Sequence, residues 1–136
     1  MATTLLKQEK EAVKKPAASK KLSKSSKLYK TILKAIDDKK GENVISLDLR
    51  KIEAASADFF IVCEATSAPQ VRAICENVET EVKKECDEHP YRHEGLENLE
   101  WVIIDYVDIV VHIMQPGVRK FYRLEEMWSD GVAETL

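Results

Sequence analysis

Only four glycines occur in this chain of 136 residues, and none of them stands in a G-x-G-x-x-G, G-K-[ST] or G-x-S-x-G pattern. Loops that cradle phosphates or expose a nucleophile need glycine at fixed places, because only a residue without Cβ lets the backbone approach so closely. Phosphate-loop and nucleophile-elbow chemistry is therefore disfavoured. Cysteine is scarce as well: Cys63, Cys75 and Cys86 are the only three. They cannot all pair within one chain and lack the spacing of a disulfide scaffold, so they read as reduced, mostly buried thiols. Long apolar runs are missing too. The longest, Trp101 to Val107, is interrupted by Asp105 and falls far below the ~20 residues that cross a bilayer. Residues 1–26 lack the roughly 7–15 residue apolar stretch of a secretory signal, and Glu9 and Glu11 do not suit a transit peptide. The expected address is the cytoplasm, with no membrane partner.

What is present is 44% hydrophobic and 33% charged residues, the ordinary balance of one soluble globular core. The formal net charge of -3 hides a strong polarity. Residues 1–27 hold eight lysines and two glutamates, a net +6, leaving 13 basic and 22 acidic residues, or -9, for 28–136. An acidic body argues against broad nucleic-acid contact by the folded part, whereas the basic tail can touch RNA phosphates non-specifically. The boundaries read from the sequence are a basic, flexible tail over 1–26, a folded domain over 27–131 and a short C-terminal tail over 132–136.

Within the domain, Ser26 caps a helix whose Tyr29, Ile32, Leu33 and Ile36 form an apolar stripe, ended by Lys39-Lys40-Gly41. Residues 43–49 alternate as a half-buried strand, with Ile45, Leu47 and Leu49 inward and Ser46 and Asp48 outward. Residues 58–65 are apolar at almost every position, as in an interior strand covered on both faces. Ser67 and Gln70 have the spacing of a capping box, with Pro69 in the permissive first turn, and predict a long helix to about Glu85. A short strand is expected at 91–94. Residues 101–107 and 109–114 then read as an antiparallel hairpin joined at Val107-Asp108. Pairing Tyr106 with Ile109 puts Val102, Ile104, Tyr106, Ile109, Val111 and Ile113 on one apolar face. Trp101, Ile103, Asp105, Val110, His112 and Met114 fall on a mixed one. A last helix is predicted over 119–129, packing on the sheet through Phe121, Leu124 and Trp128 and stopped by Asp130-Gly131. The fold class is α/β (α+β), a single mixed β-sheet flanked by helices.

Two clusters suggest chemistry and neither completes it. Cys86-x2-His89-x3-His93 has metal-like spacing but no fourth ligand, so no metal is expected. Asp105 and Asp108 straddle a bend, whereas carboxylates that share an ion must project together. Neither catalysis nor a cofactor or small-molecule substrate is expected. The mixed face reads in two ways that sequence leaves open. Its ring, carboxylate and imidazole among aliphatics are the materials of a protein contact, or else a helix packs over them.

Several runs, in order, resemble a known family: Ala57-Asp58-Phe59-Phe60-Ile61-Val62-Cys63; Ser67-x-x-Gln70-Val71-x-Ala73-Ile74; Glu94-Gly95; Trp101-Val102-Ile103-Ile104-Asp105-Tyr106; Asp108-Ile109-Val110-Val111-His112-Ile113; and Arg119-x-Phe121-Tyr122-x-Leu124-Glu125-x-x-Trp128. Together they resemble the ribosomal silencing factor family, also called Iojap or RsfS, over about residues 28–131. The resemblance implies a nucleotidyltransferase-like fold that has lost its catalytic residues. It also implies binding to the large ribosomal subunit, at large-subunit protein number fourteen, so that the small subunit cannot join and translation is repressed. The residues read as partner-binding are Trp101, Ile103, Asp105, Asp108, His112, Met114, Arg119 and Tyr122. A divergent nucleotidyltransferase-like enzyme, or a biogenesis factor for the large subunit, is the alternative, and a homodimer is a further state the family allows. Many members have glycine between the Tyr and Asp of the hairpin turn, where this chain has Val107. A positive φ there would strain a β-branched residue, so the turn is expected either to be looser or to direct Val107 differently.

Overall fold

Ser26 sets the start of the first helix, α1 (Lys27–Asp38). In the computed structural model, which describes residues 26–124 and 132–136, the Ser26 hydroxyl accepts the Tyr29 amide hydrogen at 3.1 Å, satisfying one of the donors that a helix N-terminus leaves free. Leu28, Tyr29, Ile32, Ala35 and Ile36 are buried along one side. The helix ends where the Gly41 amide reaches back to the Ile36 carbonyl at 3.0 Å. The chain continues through β1 (Glu42–Asp48), β2 (Phe59–Glu64), α2 (Ala68–Cys86), β3 (Arg92–Glu94), β4 (Trp101–Asp105), β5 (Ile109–Met114), α3 (Pro116–Tyr122) and β6 (Val132–Thr135).

The six strands make one mixed sheet in the order β3-β4-β5-β2-β1-β6. β2 and β5 run parallel, and the other described pairings are antiparallel. This is the α+β sandwich with a mixed sheet that the sequence predicts. Parallel neighbours need a long crossover, and α2 lies within the one that joins β2 to β5. Its start is fixed by Ser67, whose Oγ accepts the Gln70 amide hydrogen at 3.3 Å, while Gln70 Oε1 accepts from the Thr66 amide at 3.0 Å. Gln70 also donates from Nε2 to the Lys40 carbonyl at 3.0 Å, and Asn77 Nδ2 donates to the Ala35 carbonyl at 2.9 Å. These contacts, 70 to 40 and 77 to 35, hold α1 and α2 antiparallel as one layer.

That layer covers one sheet face, where Phe59, Ile61, Cys63, Val102, Ile104, Tyr106, Ile109, Val111 and Ile113 meet the apolar sides of both helices. The opposite face carries Leu47, Phe60, Val62, Trp101, Ile103, Val110 and Met114, packed with Leu49, Ala57 and Leu124. Each large side chain so buried stabilises the fold by roughly 1.5–3 kcal/mol. Gly95 holds φ at +92°, and a Cβ there would overlap the Trp101 carbonyl, so the approach of this loop to β4 requires glycine. All three cysteines are free: Cys63 and Cys75 are buried and Cys86 is partly so. Burial pushes the Cys63 thiol up to about 12. Among the described residues no helix is long and apolar enough to cross a membrane.

Three expectations change. Residues 132–136, read as a tail, supply β6, which pairs Leu47 with Ala133, and the Leu136 amide donates to the Val44 carbonyl at 2.8 Å. The strand is only four residues long, too short for pattern alone to reveal it, yet it satisfies the otherwise unpaired edge of β1. Ser46, expected on a wet face, is buried beside Ile61. The final helix starts three residues earlier than Arg119, because Pro116 suits the first turn. It stops where Arg123 adopts φ 48°. Leu124 is buried as expected, but Phe121 is 78% exposed. Trp128 and the predicted helix over 125–129, with its stop at Asp130-Gly131, lie outside the described residues.

Candidate functional site

The β4–β5 hairpin has the predicted register. Trp101 pairs with Met114, Ile103 with His112 and Asp105 with Val110, and the Tyr106 amide donates to the Ile109 carbonyl at 2.9 Å. Directly paired residues share a face, so the two sets of side chains separate as parity requires. The turn itself is tight. Val107 takes φ 73°, and the Asp108 amide closes on the Tyr106 carbonyl at 2.9 Å, the i to i+2 bond of a γ-turn with positive central φ, a rare and strained form. Asp105 steadies it by accepting the Val107 amide hydrogen on Oδ1 at 2.7 Å, with Arg92 Nε 3.5 Å from its other oxygen. The Asp108 carbonyl accepts from the amides of Asp58 and Phe59 at 2.8 and 3.1 Å, tying the tip to β2. Asp105 and Asp108 thus lie at one end of the sheet, each with structural work.

At the other end five of the candidate residues come together. Trp101 Nε1 donates to His112 Nδ1 at 3.0 Å, the Tyr122 ring lies 4.9 Å from the Trp101 ring, and Ile103 and Met114 flank them on the same face. His112 is wholly buried, and desolvation lowers its pKa to about 3. Its imidazole is therefore neutral near pH 7, and accepting at Nδ1 places its hydrogen on Nε2. That Nε2 is buried without a partner. Phe60 packs on the same ring at 4.7 Å.

The mixed face is consequently not an open surface. Trp101 is 5% exposed and Ile103, His112 and Met114 are buried, with Val118 and Tyr122 of α3, Leu124, and Ile52 and Ala55 of the segment after β1 packed against this layer. Of the two readings sequence left open, cover by a helix is the one realised for these four residues, with α3 joined by Leu124 and the segment after β1. Arg119 stands apart, on the edge of α3 that meets β1 and β2. It is buried, donates from Nη1 to the Asn43 carbonyl at 2.6 Å and lies 3.6 Å from Glu64 Oε1. A buried arginine needs such partners, and they are too distant in sequence to be foreseen.

Among the described residues the large apolar side chains that face solvent are Phe121, Tyr91 at 72%, Leu136 at 50% and Val107 at 48%. Sequence reasoning missed Phe121 by assigning it to the core. The available signal was Val118 and Tyr122, four apart, which claim the inward side of α3 and turn Phe121 out. Phe121 stacks edge-on against Tyr122 at 5.0 Å, between exposed Lys120 and Arg123. The other predicted cluster is not assembled: Cys86 Sγ lies 3.8 Å from Thr31 Oγ1, and His93 Nδ1 lies 3.3 Å from Glu79 Oε2. Among the described residues no group of three or more His, Cys, Asp or Glu is arranged to hold a metal ion.

Comparison with known proteins gives a consistent picture. The family model described as ribosomal silencing factor during starvation, RsfS, matches residues 22–135. The ribosomal silencing factor RsfS of Halalkalibacterium halodurans is 38% identical over 109 residues, 78% of this chain and 89% of that protein. The mouse protein named mitochondrial assembly of ribosomal large subunit protein 1 is 29% identical over 79 residues, 57% of this chain and 35% of its own length. The X-ray crystal structure of a Chromobacterium violaceum protein superposes with a TM-score of 0.70 at 35% identity, covering 75% of this chain and 83% of that one.

Proposed function

Because the chain belongs to the RsfS family of ribosomal silencing factors, we propose that it binds the large ribosomal subunit, at ribosomal protein number fourteen, and thereby keeps the small subunit from joining. It is a binding protein and not an enzyme in this reading, works in the cytoplasm, and needs no cofactor or small-molecule substrate. Its folded domain, which takes in β6 (Val132–Thr135), keeps a nucleotidyltransferase-like frame without catalysis in this reading.

The observation that carries the docking site is the exposed aromatic edge of α3. Phe121 projects into solvent from a chain whose other two phenylalanines are buried, and it rests on Tyr122, which rests on Trp101. Exposed aromatics beside an arginine are the side chains that interfaces favour. In this proposal Phe121 and Tyr122 touch the partner with the rim of Trp101. Ile103, His112 and Met114 support them from beneath, and Arg119 fixes the angle of α3. Asp105 and Asp108 shape the hairpin tip as a second contact. Mixing the protein with both subunits and following sedimentation should give fewer joined particles, and Phe121→Ala should restore joining while leaving the fold intact. Undiminished joining at saturating wild-type protein sinks the reading. A second reading, assistance in building the large subunit, is favoured by the name of the mouse relative. It predicts accumulation of large-subunit precursors when the protein is depleted. A homodimer through the same edge predicts a mass of two chains that Phe121→Ala halves.

A further inference from the structure

We propose that Tyr91, Arg92 and Val107, gathered around Asp105 at the hairpin end of the sheet, form a contact for a basic protein surface of the large subunit, separate from the α3 edge. The choice of the large subunit rests on the reading above; the patch itself does not. Asp105 is buried and holds all three residues. Its carbonyl accepts the Tyr91 amide hydrogen at 2.7 Å, its Oδ1 accepts the Val107 amide hydrogen at 2.7 Å, and its Oδ2 lies 3.5 Å from Arg92 Nε. The Arg92 guanidinium carbon in turn stands 5.8 Å from the centre of the Tyr91 ring, within reach of a cation–π contact. Tyr91 is largely exposed and Val107 about half exposed.

Val107 adopts φ 73°, which a β-branched side chain disfavours, yet that side chain joins neither apolar layer of the core. Strain held in place at an exposed turn, with no core contact to offset it, points to a use outside the chain. Beside it, Tyr91 and Arg92 are residue types that dominate interface energetics. Asp105 orders them in advance, so less freedom is lost on binding. The chemistry of the partner follows from charge. Asp105 meets part of the charge of Arg92, and Glu88, Glu94 and Asp108 stand within three positions of Tyr91 or Val107. The body around them is acidic, with 22 acidic against 13 basic residues over 28–136. An apolar centre set among carboxylates complements an apolar spot set among lysines and arginines. RNA is the less suitable partner, because the same carboxylates repel phosphates, and Val107 has neither charge for a phosphate nor a hydrogen bond for a base.

The test uses the full chain, fluorescently labelled, with affinity for isolated large ribosomal subunits read by sedimentation and urea unfolding measured on each variant. Val107→Gly relieves the turn and removes the side chain. It should raise the urea midpoint and yet bind about 5-fold more weakly, as expected when part of a valine side chain is no longer buried. A substitution that only damaged the structure would lower both. Val107→Asn also suits a positive φ but keeps a side chain on the turn, and its polar group should weaken binding to a similar degree. Tyr91→Ala should keep the stability of the parent and lose about 10-fold or more in affinity. Val107→Asn binding at parental strength where Val107→Gly does not overturns the proposal, since the stiffness of the turn and not an apolar contact would then be at work. A Val107→Gly loss that persists on large-subunit RNA stripped of protein overturns it as well. A parent that does not bind large subunits removes the docking reading and this proposal together. Weakened binding by Phe121→Ala, beside parental binding by Tyr91→Ala and Val107→Gly, leaves the docking reading standing and removes this proposal alone.

Discussion

Val107 holds the least comfortable backbone conformation in the hairpin. A β-branched residue at φ 73° strains by about 1–2 kcal/mol, and Asp105 keeps it there through the 2.7 Å bond to its amide. Glycine relieves that strain but loses roughly 0.5–1 kcal/mol to the entropy of the unfolded chain. Val107→Gly should thus raise stability by up to about 1 kcal/mol in urea unfolding, and a clear loss would show that Val107 is not strained. His112 behaves differently, through its proton. Its folded pKa of about 3 lies below the ordinary 6.5, so between those values the unfolded chain binds the extra proton. Stability that is fully present above pH 6.5 is lost as pH falls toward 3, on the order of a few kcal/mol, and the loss levels off below that. His112→Gln keeps an acceptor for Trp101 Nε1 and removes the titration. Its unfolding free energy should fall less steeply over that window, whatever its value at pH 7. An identical slope in the variant would place the acid sensitivity elsewhere.

At the scale of elements, periodicity reads best where one face is buried by a regular neighbour. The β4–β5 register and the cap of α2 were legible, because a strand or helix whose pattern is set by a single core interface announces its own orientation, and β2 was legible because it is apolar at almost every position. β6 was not legible, since its pairing with β1 is decided by the empty edge of a strand some ninety positions earlier and not by its own residues. α3 was read with the wrong side inward for a related reason: Arg119 occupies a buried position, satisfied by Glu64 and the Asn43 carbonyl, and a sequence reader places an arginine outside. The geometry of the candidate site was half legible. The mixed face was identified correctly as a set of residues, but its exposure depends on α3 and Leu124, which lie over it. Two substitutions separate support from contact. Trp101→Ala should lose about 3–5 kcal/mol of stability, since it empties a packed site and strips His112 of its donor. Phe121→Ala should stay within about 0.5 kcal/mol of the parent yet lose subunit binding. A Trp101→Ala protein as stable as the parent would mean that α3 does not pack against that ring.

At the scale of the whole molecule, a single sheet stands between two apolar layers. Phe59, Ile61 and Cys63 of β2 point into the helix-covered layer, while Phe60 and Val62 point into the other. The same backbone serves both, and every core strand contributes alternately to each. Neither layer can be lost while the sheet persists in register, because removing one exposes a complete apolar face to water at roughly 25 cal/mol for every Å². The two layers should therefore unfold together. In a Trp128→Phe background, tryptophan emission reports Trp101 and hence the layer under α3, whereas circular dichroism at 222 nm, roughly the helix minimum, is dominated by α1 and α2, the longest described helices. The urea transitions read by the two probes should coincide in midpoint and slope, as expected of one cooperative unit below about 150 residues. A Trp101 transition that precedes the helical one would show that the α3 layer opens by itself. It would also mean that the partner meets this layer open, with Trp101 as the central contact in place of Phe121.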